Sequence, residues 1–102
     1  MIDEAALAKF VARLGDMRAL AARAVREKSQ DARALYGAAG MFRLSGDLLA
    51  ALDALQRAIA LDPNQSNFLF EQGQTQRFLG RSEHAAHSYR RALELDAGNY
   101  RA

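Results

Sequence analysis

The sequence predicts an all-α fold, a solenoid of about three antiparallel helical hairpins, and two observations carry that prediction. The first is an internal repeat. Residues 32–65 and 66–99 align without a gap at a spacing of 34 residues, a period that belongs to helix-turn-helix arrays. Identical at that offset are Leu35/Leu69, Arg43/Arg77, Gly46/Gly80, Ala51/Ala85, Arg57/Arg91, Ala58/Ala92, Leu61/Leu95 and Asp62/Asp96. Tyr36/Phe70, Leu44/Phe78, Leu55/Tyr89 and Ile59/Leu93 are conservative pairs in the same register. The second observation is an apolar spacing of three and four residues, the period of a helix with one buried face.

Taken in order, the first thirty residues look like a degenerate copy of the unit. Leu7, Phe10, Val11 and Leu14 form one stripe, Gly15-Asp16 repeats the Gly46-Asp47 turn, and Met17, Leu20, Ala21, Ala24 and Val25 form the next stripe. Residues 1–31 are therefore read as a hairpin whose second helix is about one turn short, with Ser29-Gln30-Asp31 as link and cap. The alternative is one continuous helix from Asp3 to Lys28, because the apolar phase survives across Gly15 and an internal glycine costs only about 1 kcal/mol. The hairpin is preferred because the glycine falls where the period needs a turn.

Residues 32–65 form the first full repeat. From Leu48 the run Leu48, Ala51, Leu52, Leu55, Ala58, Ile59 makes an apolar face and leaves Asp53, Gln56 and Arg57 to water. Leu61-Asp62-Pro63-Asn64 ends that helix with a proline that cannot continue it, and Ser66 or Asn67 is expected to cap the next. Residues 66–99 repeat the unit, and residues 100–102 read as the truncated start of a further helix. Ala51, Ala58, Ala85 and Ala92 allow close helix packing, and Gly37 and Gly40, inside a helix, are read as permitting close approach too.

These residues resemble the tetratricopeptide repeat family. The resemblance runs through Leu35, Ala38, Ala39, Phe42, Gly46, Ala51, Leu55, Ala58 and Pro63, then through Leu69, Gly73, Gly80, Ala85, Tyr89 and Ala92. Gln72 and Gln76 stand where that family has apolar residues and Ala97 replaces the proline, so the second repeat's core is expected to be looser. The resemblance implies a right-handed solenoid and a single domain over residues 1–102.

Composition narrows the function. A 102-residue chain with a net charge of +2 and interspersed charges lacks the basic stripe of a nucleic-acid binder. No apolar run approaches the length of a membrane span, and Met1-Ile2-Asp3-Glu4 is acidic where a signal peptide is basic. The absence of cysteine excludes disulfides and thiolate metal sites and fits a reducing cytoplasm, the expected compartment. Arginine far exceeds lysine, as in a high-GC bacterial coding sequence.

Catalytic chemistry is not expected. Glu83-His84-x-x-His87 could turn two imidazoles toward one metal ion, but no third or fourth ligand is evident, and the residues read as a solvated face; no metal or cofactor is expected. There is no phosphate loop and no nucleophile arrangement.

The resemblance instead implies binding of a protein or peptide in the concave groove lined by the first helix of each hairpin. It places Arg33, Tyr36, Gly40 and Arg43 in one row and Asn67, Phe70, Gln74 and Arg77 in the next, an aromatic ladder beside an arginine ladder suited to apolar and acidic groups. The aromatics have a second reading as packing between inner helices, and the arginines as partners of acids such as Glu71. The lysine and asparagine clamp of repeats that grip heat-shock chaperone tails is absent at Tyr36, Gly40 and Glu71. At the far end Phe78, Ala86, Tyr89 and Leu93 are expected to form an uncovered apolar stripe that packs on a following domain or makes a homodimer through the C-terminal hairpin. The alternative function is an arm of a larger enzyme: Gln76–Gly80 followed by Tyr89–Leu93 weakly resembles the arm of bacterial sulfotransferases with these repeats.

Overall fold

A computed structural model describes the backbone of residues 3–101 and the side chains of residues 3–96. It contains five helices in chain order: α1 (Glu4–Glu27), α2 (Ala32–Leu44), α3 (Leu48–Leu61), α4 (Ser66–Phe78) and α5 (Ser82–Arg101). Each helix packs on the next in sequence. The molecule measures 52 × 32 × 23 Å, and its radius of gyration of 15.5 Å exceeds the roughly 13 Å of a compact domain this size, as stacking without closure requires.

The N-terminal hairpin does not form. Residues 4–27 make one helix, begun by Asp3, whose carboxylate accepts the Ala5 N–H at 3.2 Å. Positive φ is confined to Gly46 and Gly80 among the described residues, so Gly15 stays helical. The unbroken apolar phase across Gly15 outweighs the small cost of one internal glycine. The C-terminal half of α1 packs on α2 through Ala21, Ala22, Ala24 and Val25, while Leu7, Phe10 and Val11 on its first half are exposed. Nothing lies near the place a Gly15 side chain would occupy. Gly15→Ala is therefore expected to stabilise the protein by about 0.5–1 kcal/mol, read as a higher thermal midpoint. A lower midpoint would instead locate a turn there.

Both hairpin turns close the same way. Gly46, at φ +90°, lets the Asp47 N–H reach back to the Phe42 carbonyl at 2.8 Å; Gly80, at φ +79°, lets the Arg81 N–H reach the Gln76 carbonyl at 2.8 Å. This satisfies helix-end carbonyls that would otherwise be orphaned. Asp31 and Asp47 cap α2 and α3 by accepting the N–H groups of Ala34 and Ala50. The cap expected from Ser66 or Asn67 falls instead on Gln65, which makes no side-chain cap bond; its amide nitrogen donates to Asp62 at 3.0 Å. α5 runs on through Arg101 where α3 stops before Pro63, since Ala97 does not interrupt it. The next inner helix expected to begin near residue 100 is thus replaced, as far as Arg101, by more of α5; Ala102 lies outside the described residues.

One core cluster joins α1, α2 and α3 through Ala21, Ala38, Ala39, Phe42, Ala54 and Leu55; a second joins α2, α3 and α4 through Leu35, Ala58 and Phe68. The four alanines read as close-packing positions are all buried. Gly37 and Gly40 have no neighbour where a side chain would be, so they are not packing glycines. Gly73 is: a Cβ there would stand 2.7 Å from Cε1 of Tyr89.

The second repeat is reorganised in pairs. Where the first has Phe42 and Ala54, the second has Gln76 and Ser88, both buried, with the Ser88 hydroxyl donating to Gln76 Oε1 at 2.7 Å. Where the first has Ala39 and Leu55, the second has Gly73 and Tyr89. Of the two glutamines expected to loosen the core, Gln72 is only half-buried, and Gln76 has its side-chain oxygen paired across the hairpin, which offsets part of the cost of burying it.

Candidate interaction surface

The two inner helices, α2 and α4, carry the rows of residues read as a groove, and the structure gives the rows different duties. In the first row Tyr36 stacks on Phe68 with ring centroids 4.9 Å apart, and Arg43 approaches the Glu71 carboxylate at 3.6 Å. Both contacts tie α2 to α4. Tyr36 and Arg43 are therefore inter-repeat contacts before they are ligand groups, and Arg43 Nε is buried without a hydrogen-bond partner among the described residues. Arg33 is exposed at the rim of a notch of about 340 Å³ shared with Tyr36, Gln65 and Asn67.

In the second row Asn67 and Arg77 are exposed and Phe70 is 47% exposed. Phe70 leans on Tyr89 at 5.7 Å, and Gln74 Oε1 accepts the Tyr89 hydroxyl at 2.6 Å. Arg77 makes no ion pair among the described residues; its guanidinium lies 5.4 Å from the centroid of Phe78. The ladder is thus uneven: its first aromatic and arginine are engaged, and their counterparts one period later are open.

The expected apolar stripe divides as well. Leu93 is 68% exposed, and Tyr89 and Ala86 are half-buried. Phe78 is 56% exposed, but its counterpart Leu44 is 65% exposed although a full repeat comes after it. The exposure of Phe78 belongs to its position in the unit, not to an uncovered end. What remains is a groove of about 500 Å³ between the start of α4 and the later part of α5, lined chiefly by Asn67, Phe70, Tyr89, Ala92, Leu93 and Asp96. The repeat pattern alone did not single out Ala92 and Asp96 as groove residues; shifting the surroundings of Phe68 by one period finds them.

His84 and His87 are exposed beside Gln72, Gln76 and Ser88 in a polar depression. Among the described residues no three histidine, cysteine, aspartate or glutamate side chains gather where a metal ion would be held. No helix among them is long and apolar enough to cross a membrane.

Residues 66–99 match the tetratricopeptide repeat family model. The fold is similar to that of MamA 41-end from Desulfovibrio magneticus RS-1, with a TM-score of 0.77 and 22% identity over 92% of this chain and 52% of that one. A MamA RS-1 ArsTM double mutant gives 0.77 and 22% over 93% and 53%, and MamA MSR-1 C2 gives 0.77 and 16% over 93% and 56%. The chain therefore spans about half the length of these structures, and identity this low speaks for the fold alone. No curated protein matches the chain.

Proposed function

We propose that this tetratricopeptide-repeat chain is a protein-interaction module that docks a peptide or helix of a partner protein on the concave side of its inner helices. The observation that carries this reading is the uneven ladder: Phe70 and Arg77 stand at the repeat positions of Tyr36 and Arg43, yet face solvent without inter-repeat partners among the described residues. Arg77 and Arg33 would take acidic groups, Phe70 an apolar side chain, and Asn67 and Gln74 would hydrogen-bond the partner's backbone. Among peptide-recognition modes this is an apolar anchor with flanking charge in a preformed groove.

The test is selection of displayed peptides on the immobilised chain. Sequences combining apolar and acidic residues are expected to be enriched, and Arg77→Ala is expected to weaken them by about 1.5–3 kcal/mol. Thermal stability should change by less than about 0.5 kcal/mol for Arg77→Ala, a surface substitution, and fall further for Arg43→Ala, which removes the Glu71 contact. Enrichment of basic peptides, or unfolding of Arg77→Ala, would contradict the proposal.

A further inference from the structure

The internal repeat shows what the end groove is shaped to hold. Its lining residues Asn67, Phe70, Ala92, Leu93 and Asp96 lie one period after Arg33, Tyr36, Ala58, Ile59 and Asp62. In the first repeat that set surrounds Phe68 of the following helix, which is buried against Leu35, Ala58, Tyr36 and Ile59. Two polar contacts flank this aromatic. Three residues before it Gln65 donates to Asp62, and three residues after it Glu71 meets Arg43. One period on, the corresponding receptors are Asp96 and Arg77.

We infer that the end groove is a docking site for an amphipathic helix of another protein. That helix carries an aromatic residue for the groove, a hydrogen-bond donor three positions earlier for Asp96, and an acid three positions later for Arg77. The charge pattern selects this occupant over a second copy. Of the aromatics from Phe10 to Tyr89, Phe68 is the one with an acid three residues on, and it is already buried. Phe10, exposed on α1, has Arg13 at that place, so a copy docking through it would set arginine against Arg77. Among the described residues nothing fills this groove as Phe68 fills the first: after Leu61 the backbone turns and delivers Phe68, whereas α5 continues as helix to Arg101.

This inference rests on reading the chain as an interaction module but concerns its end face, which Leu93→Glu blocks while leaving Arg33 and Gln74 untouched. The probe is a synthetic peptide of residues 62–80 of this chain, which carries Gln65, Phe68 and Glu71 in the required spacing. Saturable binding to the full chain is expected, at least tenfold weaker for the Phe68→Ala peptide and for the Leu93→Glu protein. Arg77→Glu should weaken binding to a similar degree and regain it with a Glu71→Arg peptide, a charge exchange that a merely apolar contact would not show. Circular dichroism confirms that each variant is folded. Equal binding of the Phe68→Ala peptide would overturn the inference, as would no binding at millimolar peptide. Sensitivity to Arg43→Glu in place of Arg77→Glu would mean that the peptide displaces α4, and would overturn it too. So would dimerisation of the chain, by light scattering, that Leu93→Glu abolishes, because the groove would then belong to a second copy. Peptides selected by the concave face but lost with Arg33→Ala and kept with Leu93→Glu would leave the module reading intact while this inference fails.

Discussion

Phe68→Ala is expected to destabilise the protein by about 3–5 kcal/mol, the cost of emptying a buried aromatic site. Phe68 joins α4 to both helices of the preceding hairpin: it stacks on Tyr36 and shares a buried cluster with Leu35 and Ala58. In a linear array each unit is stabilised by itself and by its neighbours only, so the loss falls on one junction. Total stabilities run at about 5–15 kcal/mol, and a deficit of this size at one junction should split the transition. Urea unfolding monitored by amide NMR should show α4 and α5 melting before α2 and α3. Phe78→Ala, at an exposed position ten residues along the same helix, should change stability by less than about 0.5 kcal/mol. A Phe68→Ala loss below about 1 kcal/mol would mean that the junction does not depend on this side chain.

Gly73→Ala is expected to be destabilising in the native chain and stabilising once Tyr89 is made smaller. A methyl group on Gly73 would meet ring atoms of Tyr89 at 2.7 and 2.8 Å, and the ring is held by its hydroxyl bond to Gln74. Overpacking of this kind costs about 1–3 kcal/mol. Against it stands the gain of about 1 kcal/mol for replacing a helix-interior glycine by alanine. The clash is the larger effect while the tyrosine remains. In Tyr89→Leu, which copies the Ala39 and Leu55 pair of the first repeat, only the gain is left. A double-mutant cycle by thermal denaturation should therefore give a coupling of at least about 1 kcal/mol between the two positions. Additive effects would show that glycine and tyrosine are independent choices.

The sequence made the repeats legible because their information is local and duplicated. The glycine turns at Gly46 and Gly80, the proline stop after Leu61 and the alanines at closest approach all come from single-residue chemistry, and the register of the two units confirms each reading against the other. The N-terminal region failed this way of reading for a physical reason. Gly15-Asp16 resembles the Gly46-Asp47 turn, but Gly46 takes a left-handed conformation and returns backbone bonds to α2, whereas the stripe through Gly15 stays in phase and the helix continues. Which glycine packs was not readable either. Gly37, Gly40 and Gly73 all sit within helices, and only the tertiary position of Tyr89 distinguishes the last.

At the interaction surface the sequence placed the residues in rows but not their state of engagement. Tyr36 and Phe70 are near equivalents in sequence, as Arg43 and Arg77 are identical, yet the next helix covers the first of each pair and leaves the second open. Engagement depends on the helix that the chain supplies one period later, so it is a property of neighbours rather than of the residue. The same dependence makes the filled site around Phe68 a template for the open groove around Leu93.

The most direct measurement is an NMR titration of the full chain, labelled on backbone amides and leucine and alanine methyls, with the peptide of residues 62–80. The largest shifts are expected at Phe70, Arg77, Ala92 and Leu93, with little change at Leu44 or the exposed stripe of Leu7 and Val11. Shifts centred on α1, on the Arg33 notch, or nowhere at a millimolar excess of peptide would contradict the assignment of the end groove as the open counterpart of the Phe68 site.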